Sequence, residues 1–332
     1  MYIVSSYSVA VVLCFITMIC WGSWANTEKL ATESWPYQLF YWDYVFGALL
    51  LSVLFAFTLG SIGDGGRAFL VDLSQASWYA IGSAFLGGVI FNLANILLVV
   101  AIDIAGMAVA FPVGIGLALV IGVFVNYLRA PIGDPLILFL GVGLVTAAIV
   151  LDGFSYSKTT STKSSIKGII LSILCGVLMG FFYRFVAEGV SLNFQNPAEG
   201  LMTPYTAVVV FCVGVVVSNF VWNTIFMYKP VEGGVVSYSQ YFNEGNTYLH
   251  LVGIIGGAIW CIGMSFSMIA SERAGFAISY GLGQGAPMIA ALWGVFVWDE
   301  FEGAPKVVNL YISLMFVCFI AGLGLIVWSR VA

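Results

Sequence analysis

Asp43 stands in "FYWDYVFGALL" (40–50), a carboxylate among aromatic residues at the head of a long apolar run. A membrane helix starting near Pro36 would carry it seven residues, or about 10 Å at ~1.5 Å per residue, past the interface. An ionised carboxylate at the centre of such a helix costs roughly 2.5–3.5 kcal/mol, and less nearer the edge. An acid in that position exchanges a proton or meets a cation, and this coupling chemistry is expected of Asp43. The plainer alternative is an interfacial acid, hydrated or capped by Tyr41 and Tyr44.

Further polar residues interrupt other apolar runs. Arg184 and Glu188 are four apart in "GVLMGFFYRFVAEG" (176–189) and share a helix face. They form either a helix-end ion pair or a gate that opens between states. Asn92 and Asn95, three apart, are expected to hydrogen-bond a solute, whereas Asn219 and Asn223 are expected to knit helices together. Gln284, in "YGLGQGAP" (280–287), is expected to bond the solute directly. Pro112 lies in the comparable string "FPVGIG" (111–116), and Phe111 and Tyr280, which open the two strings, are also assigned to solute contact. Such Gly/Pro clusters break helices and free backbone groups, or let helices pack closely. Trp21 and Trp24 are either interfacial anchors or a stacking platform at a cavity mouth. The charges Glu272, Arg273, Asp299, Glu300 and Glu302 are read as solvated loop residues, and His250 as interfacial.

These residues need a membrane scaffold. Of the 332 residues, 61% are hydrophobic and only 8% charged, with mean hydropathy +1.04, against about 25% charged in a soluble domain. Such a chain cannot cover a water-facing surface, so the lipid bilayer is one partner. Nucleic acid, which calls for a clustered basic face, is excluded as another. The six cysteines all fall in apolar runs and read as packing residues. No cofactor or metal is expected. The first apolar run lacks a basic leader and a small-residue cleavage site, so it reads as a retained span.

Apolar runs and their punctuation predict an all-α integral membrane protein of ten helices, near 3–26, 36–60, 78–102, 105–128, 135–152, 166–189, 204–228, 248–271, 274–298 and 307–330. Residues 87–116 overlie 256–285 without gaps, 169 positions apart. Five glycine pairs match in register: Gly87/Gly256, Gly88/Gly257, Gly106/Gly275, Gly114/Gly283 and Gly116/Gly285. This predicts two five-helix repeats, 1–152 and 166–332, in one membrane domain with a central loop at 153–165. Five is odd, so the second repeat enters the membrane inverted, the pattern of secondary transporters with a midplane site between halves. The face holding both termini carries Arg67, Arg129, Arg273 and Arg330. The opposite face carries Lys29, Lys158, Lys163, Lys167, Lys229 and Lys306. The positive-inside rule then sets the central loop in the cytoplasm and the termini outside a plasma or inner membrane.

"CWGSWANTEKL" (20–30), "YWDYVFG" (41–47), "AGMAVAFPVGIGLALVIGVFVNYL" (105–128) and "AGFAISYGLGQGAPMIAALWGVFVWDEF" (274–301) resemble the ureide permeases, and also the bacterial glucose, ribose and rhamnose porters. Both groups belong to the drug/metabolite transporter superfamily. The resemblance implies a central cavity, alternating access, and small polar solutes: allantoin and nucleobases in one group, monosaccharides in the other. It implies proton coupling, with sodium as the alternative ion. The plant members' long central loop with a nucleotide-like motif is absent, and no G-x-x-x-x-G-K-[ST] occurs. The expected function is a cation-coupled symporter of a ureide, nucleobase or purine derivative. A monosaccharide symporter, a multidrug or metabolite exporter and a channel are the alternatives, and a homodimer is compatible with all of them. An intramembrane enzyme has little to build on, with one peripheral histidine and no hydrolase motif.

Overall fold

The computed structural model describes residues 1–31, 35–159, 166–231 and 233–332. Among these, the regular elements are helices, apart from an isolated bridge between Val190 and Met202. Nine helical segments among the described residues are long and apolar enough to cross a membrane. The first joins α1 (Tyr7–Ser23) and α2 (Ala25–Ala31) at Trp24. The others are α3 (Tyr37–Phe57), α5 (Trp78–Ala105), α7 (Gly116–Arg129) with the π turn before it, α8 (Pro135–Ser157), α9 (Ile166–Glu188), α10 (Pro204–Tyr228), α12 (Thr247–Ala274) and α15 (Lys306–Trp328). The tenth apolar segment is two pieces, α13 (Phe276–Gly283) and α14 (Ala286–Phe296), which meet at Gln284 and Gly285. Short helices α4 (Phe69–Gln75), α6 (Met107–Ala110) and α11 (Tyr238–Asn243) lie between spans. α8 runs to Ser157, past the expected end at 152. Residues 160–165 of the central loop, Lys163 among them, lie outside the described residues.

Prolines explain the broken segment and its counterpart. Pro287 lacks an N–H and would clash with the carbonyl of Gly283, so the helix cannot run through unchanged. Pro112 acts alike in the first half, where Phe111–Ile115 forms a π turn before α7. The π turn at 111–115 and the break at 284–285 fall close together under the 169-residue offset of the repeat.

That spacing governs much else. α5 and α12 are each 28 residues long and start 169 positions apart. Ser77 caps α5 by accepting from Ala80 N, and Asn246 caps α12 by accepting from Leu249 N. Gly106 (φ 74°) and Gly275 (φ 88°) end the two helices in the left-handed region, which suits glycine. Their N–H groups donate to Ile102 and Ser271 at 2.8 Å. A Cβ on Gly88 would collide with the α10 backbone at Phe211, and one on Gly257 with the α3 backbone at Tyr44. Close packing of small residues is how membrane helices gain contact without a hydrophobic drive.

Packing follows the same exchange. α5 packs on α9 and α10, and α12 packs on α1 and α3. α8 packs on α15 and α3 on α10, each joining one half to the other. One face gathers the ends of the chain: Arg273 donates to Val4 O, Asp134 N to Ser329 O, and Ser77 N to Gly200 O. α5 begins on this termini face and α12 ends there, so the two run in opposite directions. The opposite face holds Lys29 against Glu300, and Asp43 against Tyr241.

Candidate functional site

A cavity of about 190 Å³ lies between the halves. Its aromatic walls come from Trp21 and Trp24 of the jointed first span, Phe91 of α5, Phe182 of α9, Trp260 of α12 and Phe111 of the π turn. Trp260 is central: its ring lies 4.4 Å from Phe91 and 6.1 Å from Trp21, the latter stacked at 13°. Trp21 Nε1 donates to Trp260 O at 3.3 Å, which satisfies the indole. Phe91 and Trp260 are equivalent residues of the two halves, so the cavity sits where the repeat folds onto itself.

Polar groups reach the cavity at few points. Asn95, 4% exposed, lines it and donates from Nδ2 to Tyr41 Oη at 3.2 Å. That leaves its Oδ1 as an acceptor. Gln284 lines it at the α13–α14 break, where its side-chain amide makes no hydrogen bond among the described residues. A buried amide facing a hollow is a ready donor and acceptor. Glu28 of α2 also lines the cavity. Sequence reasoning missed it, because α2 is seven residues beyond a helix joint and shows no period of its own.

The structure thus brings together Trp21, Trp24, Asn95, Phe111 and Gln284, and separates the other expected residues from them. Asn92 lies outside the lining, fully buried, with Nδ2 donating to Ser218 Oγ at 3.0 Å. Three residues are about 60° short of whole turns at 3.6 residues per turn, enough to aim Asn92 at α10 rather than the cavity. Asn223 donates to Gln38 O, a helix-to-helix bond, while Asn219 is fully buried with neither amide atom bonded among the described residues. Tyr280 is also fully buried outside the lining, its hydroxyl 3.1 Å from both Ala118 O and Met179 O. Gly122 makes room for it, since a Cβ there would strike the Tyr280 ring.

Asp43 is 3% exposed and lies behind the cavity, not in its wall. Tyr241 of α11 donates to its Oδ1 at 2.6 Å, and His250 Nδ1 lies 2.9 Å from Oδ2. His250 is therefore the acid's partner and not a plain interfacial residue. Gly253 lets α12 approach, because a Cβ there would press on Asp43 Cβ. Burial, the hydrogen bond to Asp43 and the acid's charge together push the Tyr241 phenol above its ordinary pKa, so it remains a donor. Tyr241 had no signal in the sequence: α11 lies in a loop, and nothing local points it at a residue 198 positions away. The neighbours of Asp43 along α3 do touch the cavity's lining: Tyr41 through Asn95, and Tyr44 with its ring 4.8 Å from Trp24.

Arg184 and Glu188 pair on the termini face. Arg129 joins them, with Nε 3.6 Å from Glu188 Oε2 and its Nη2 donating to Glu188 O and Val190 O. Besides Arg273, two more of the charges read as solvated loop residues are engaged: Glu300 beyond α14 and Glu272 in the last turn of α12. Glu300 holds Lys29 and Tyr156 at 2.8 Å each, and Glu272 accepts from Phe194 N at 2.7 Å. Asp152, unremarked in the sequence, is 2% exposed in α8, and its Oδ1 has no partner among the described residues.

A family model described as ureide permease matches residues 40–165 and 155–329. Ureide permease 1 of Arabidopsis thaliana is 23% identical over 97% of each chain, and Ureide permease 2 of the same plant is 23% identical over 99% of each. Transmembrane protein 144 homolog B of Dictyostelium discoideum is 24% identical over 48% of this chain and 41% of its own. A solved structure described as "Crystal structure of protein" superposes with TM-score 0.62 at 15% identity over 96% of both chains, a likeness of fold.

Proposed function

This chain belongs to the ureide permease family, a family of membrane transporters and not of enzymes, and we propose that it carries a small neutral polar solute of the ureide, nucleobase or purine kind. The observation that carries this reading is the cavity between the halves, with aromatic faces around the amides of Asn95 and Gln284. A flat amide-bearing solute stacks on the rings and exchanges hydrogen bonds with the amides, which both donate and accept. Its volume of about 190 Å³ falls below the ~300–1,000 Å³ of drug-sized sites, which disfavours a multidrug exporter. Aromatic rings also suit a sugar face, so a monosaccharide is the second reading.

Transport would proceed by rocking the halves, 1–152 and 166–332, about the cavity. We assign coupling to a proton at Asp43, with sodium as the alternative. Its burial and its two hydrogen-bonding partners, Tyr241 and His250, support this. The Arg129–Glu188–Arg184 cluster is the gate on the termini face. The charge distribution favours a cytoplasmic central loop in a plasma or inner membrane, and the lining runs from Phe91 and Trp260 at mid-helix toward Glu28 and Ile102 on that side.

Thermal unfolding of the purified protein with allantoin, uracil, xanthine or glucose tests the solute class, because a ligand that binds the folded state raises its melting temperature. A rise with the ureide or a nucleobase is expected. A rise with glucose alone moves the assignment to sugars, and no rise with any of the four overturns it.

A further inference from the structure

The ends of α5 and α9 that meet on the termini face leave a hollow of about 560 Å³, separate from the solute cavity. Trp78, Tyr79 and Leu86 of α5 line it with Phe181 and Arg184 of α9. It opens on the outer flank of the pair, where Trp78 is 86% and Tyr79 66% exposed. Its floor is unfilled, since a Cβ on Gly82 would meet nothing within 4 Å. Trp78 and Tyr79 begin α5, and Arg184 stands one turn before the end of α9 at Glu188. All three therefore lie at the level of the membrane interface, where aromatic rings anchor. Leu86 and Phe181 lie deeper and are exposed to the hydrocarbon side. Arg184 pairs with Glu188, which shares the wall, and its Nε and Nη2 bond nothing among the described residues. Arg129, the other cation of the cluster, is turned inward to Glu188 O and Val190 O. Two guanidiniums and one carboxylate leave the cluster with a positive charge, and Arg184 presents it to the hollow.

We propose that this hollow is a binding site for an anionic phospholipid, with the phosphodiester on Arg184 and one acyl chain along Gly82, Leu86 and Phe181. A guanidinium paired on one edge keeps N–H donors on the others, and its planar fork matches two phosphate oxygens. Such charge-assisted bonds are roughly twice as strong as neutral ones. The Trp78 and Tyr79 rings sit at the glycerol level, apolar on their faces and polar at one edge. The positive charge of the cluster selects a lipid with net negative charge over a zwitterionic one, whose own cation would meet it. A free phosphate would leave the apolar floor empty, so the lipid's chain is part of the recognition. The solute cavity takes no part in this site, and the inference stands whatever the solute proves to be.

The test titrates the whole purified protein in detergent with phosphatidylglycerol or phosphatidylcholine of the same chains and counts retained lipids by native mass spectrometry. The wild type is expected to retain phosphatidylglycerol more tightly. R184Q is expected to lose that preference, with phosphatidylglycerol affinity falling on the order of tenfold. G82L fills the floor from a position with open space around it and leaves every charge in place. It is expected to keep its melting temperature and to weaken retention of phosphatidylglycerol, and it carries the test if R184Q does not fold. Glycerophosphoglycerol, the headgroup without chains, is expected not to displace the lipid. Equal retention of the two lipids by the wild type, an R184Q protein that keeps the preference, or a G82L protein that binds as the wild type does would each overturn the site. Displacement by the headgroup alone would overturn the role of the chain and leave an anion site on Arg184 in its place.

Discussion

Phe91 and Trp260 are 169 residues apart in the chain and 4.4 Å apart in space. Each occupies the same place in its own half, so the rings meet where the two repeats touch. Solute stacked there contacts both halves at once, which is what a carrier needs if binding is to be felt by both. Replacing either ring by leucine should therefore weaken binding by similar factors, about tenfold each if stacking is worth ~1–1.5 kcal/mol. Fluorescence titration of F91L and W260L checks this. A loss confined to one variant would mean that the solute sits on one half only.

Gln284 is 7% exposed and its amide has no partner among the described residues. Leucine is close to it in shape and should fold without penalty. Q284L is expected to keep its melting temperature while losing about tenfold in affinity for an amide solute, the worth of a hydrogen bond or two. A large drop in melting temperature would show instead that Gln284 supports the α13–α14 junction.

In proteoliposomes, D43N is expected to abolish gradient-driven accumulation while sparing exchange of solute for solute. Accumulation that survives with unchanged pH dependence removes Asp43 from coupling. Y241F gives an independent reading of the same cluster. It deletes a hydrogen bond to a charged group and should cost about 1.5–3 kcal/mol of stability. The Tyr241 pKa is raised in the folded protein, so the wild type's advantage is complete below the unfolded value of about 10. It should decline as pH climbs beyond that, and melting curves of the two proteins from pH 7 to 11 follow it.

Glu188 is shared by Arg129 and Arg184. If the cluster closes the termini face, E188Q should open it. Ser191 and Ser271 line a hollow of about 290 Å³ there, so S191C should react faster with a charged thiol reagent in the E188Q background. Equal labelling rates would leave the three residues as a static helix-end network.

Asn219 is fully buried, and neither its oxygen nor its nitrogen has a partner among the described residues. An unbonded buried polar group costs about 1–3 kcal/mol. N219L should melt at or above the wild-type temperature. A marked fall would reveal a bond that Asn219 makes in another state of the transport cycle.

The scaffold was legible because it depends on local and repeated features. Apolar length announced the spans, the Gly/Pro strings allowed the break found at Gln284 and Gly285, and Gly106 and Gly275, matched in the sequence, end α5 and α12 alike. Half of the site was legible for the same reason: Trp21, Trp24 and Gln284 flank joints in helices that must line whatever lies between the halves. The rest depended on rotation and on loops. Asn92 and Tyr280 lie on cavity helices but point away from the cavity, a difference of a fraction of a turn. Tyr241 and Glu28 belong to helices of six and seven residues, too short to carry a period. The partner of Asp43, His250, was visible as the lone histidine, but pairing it required knowing that α3 and α12 lie side by side.

Each half places a short helix between its second and third spans, α4 in the first and α11 in the second. α4 is bound to its surroundings through Arg67, which donates to Asp72, Pro197 O and Leu201 O. α11 instead directs Tyr241 at a buried acid that has no equivalent in the other half. Were the halves identical, the two extreme conformations would be equal in free energy, and the cycle would have no preferred resting side. Two unequal short helices, of six and seven residues, would help lift that degeneracy, and neither of them lines the solute cavity.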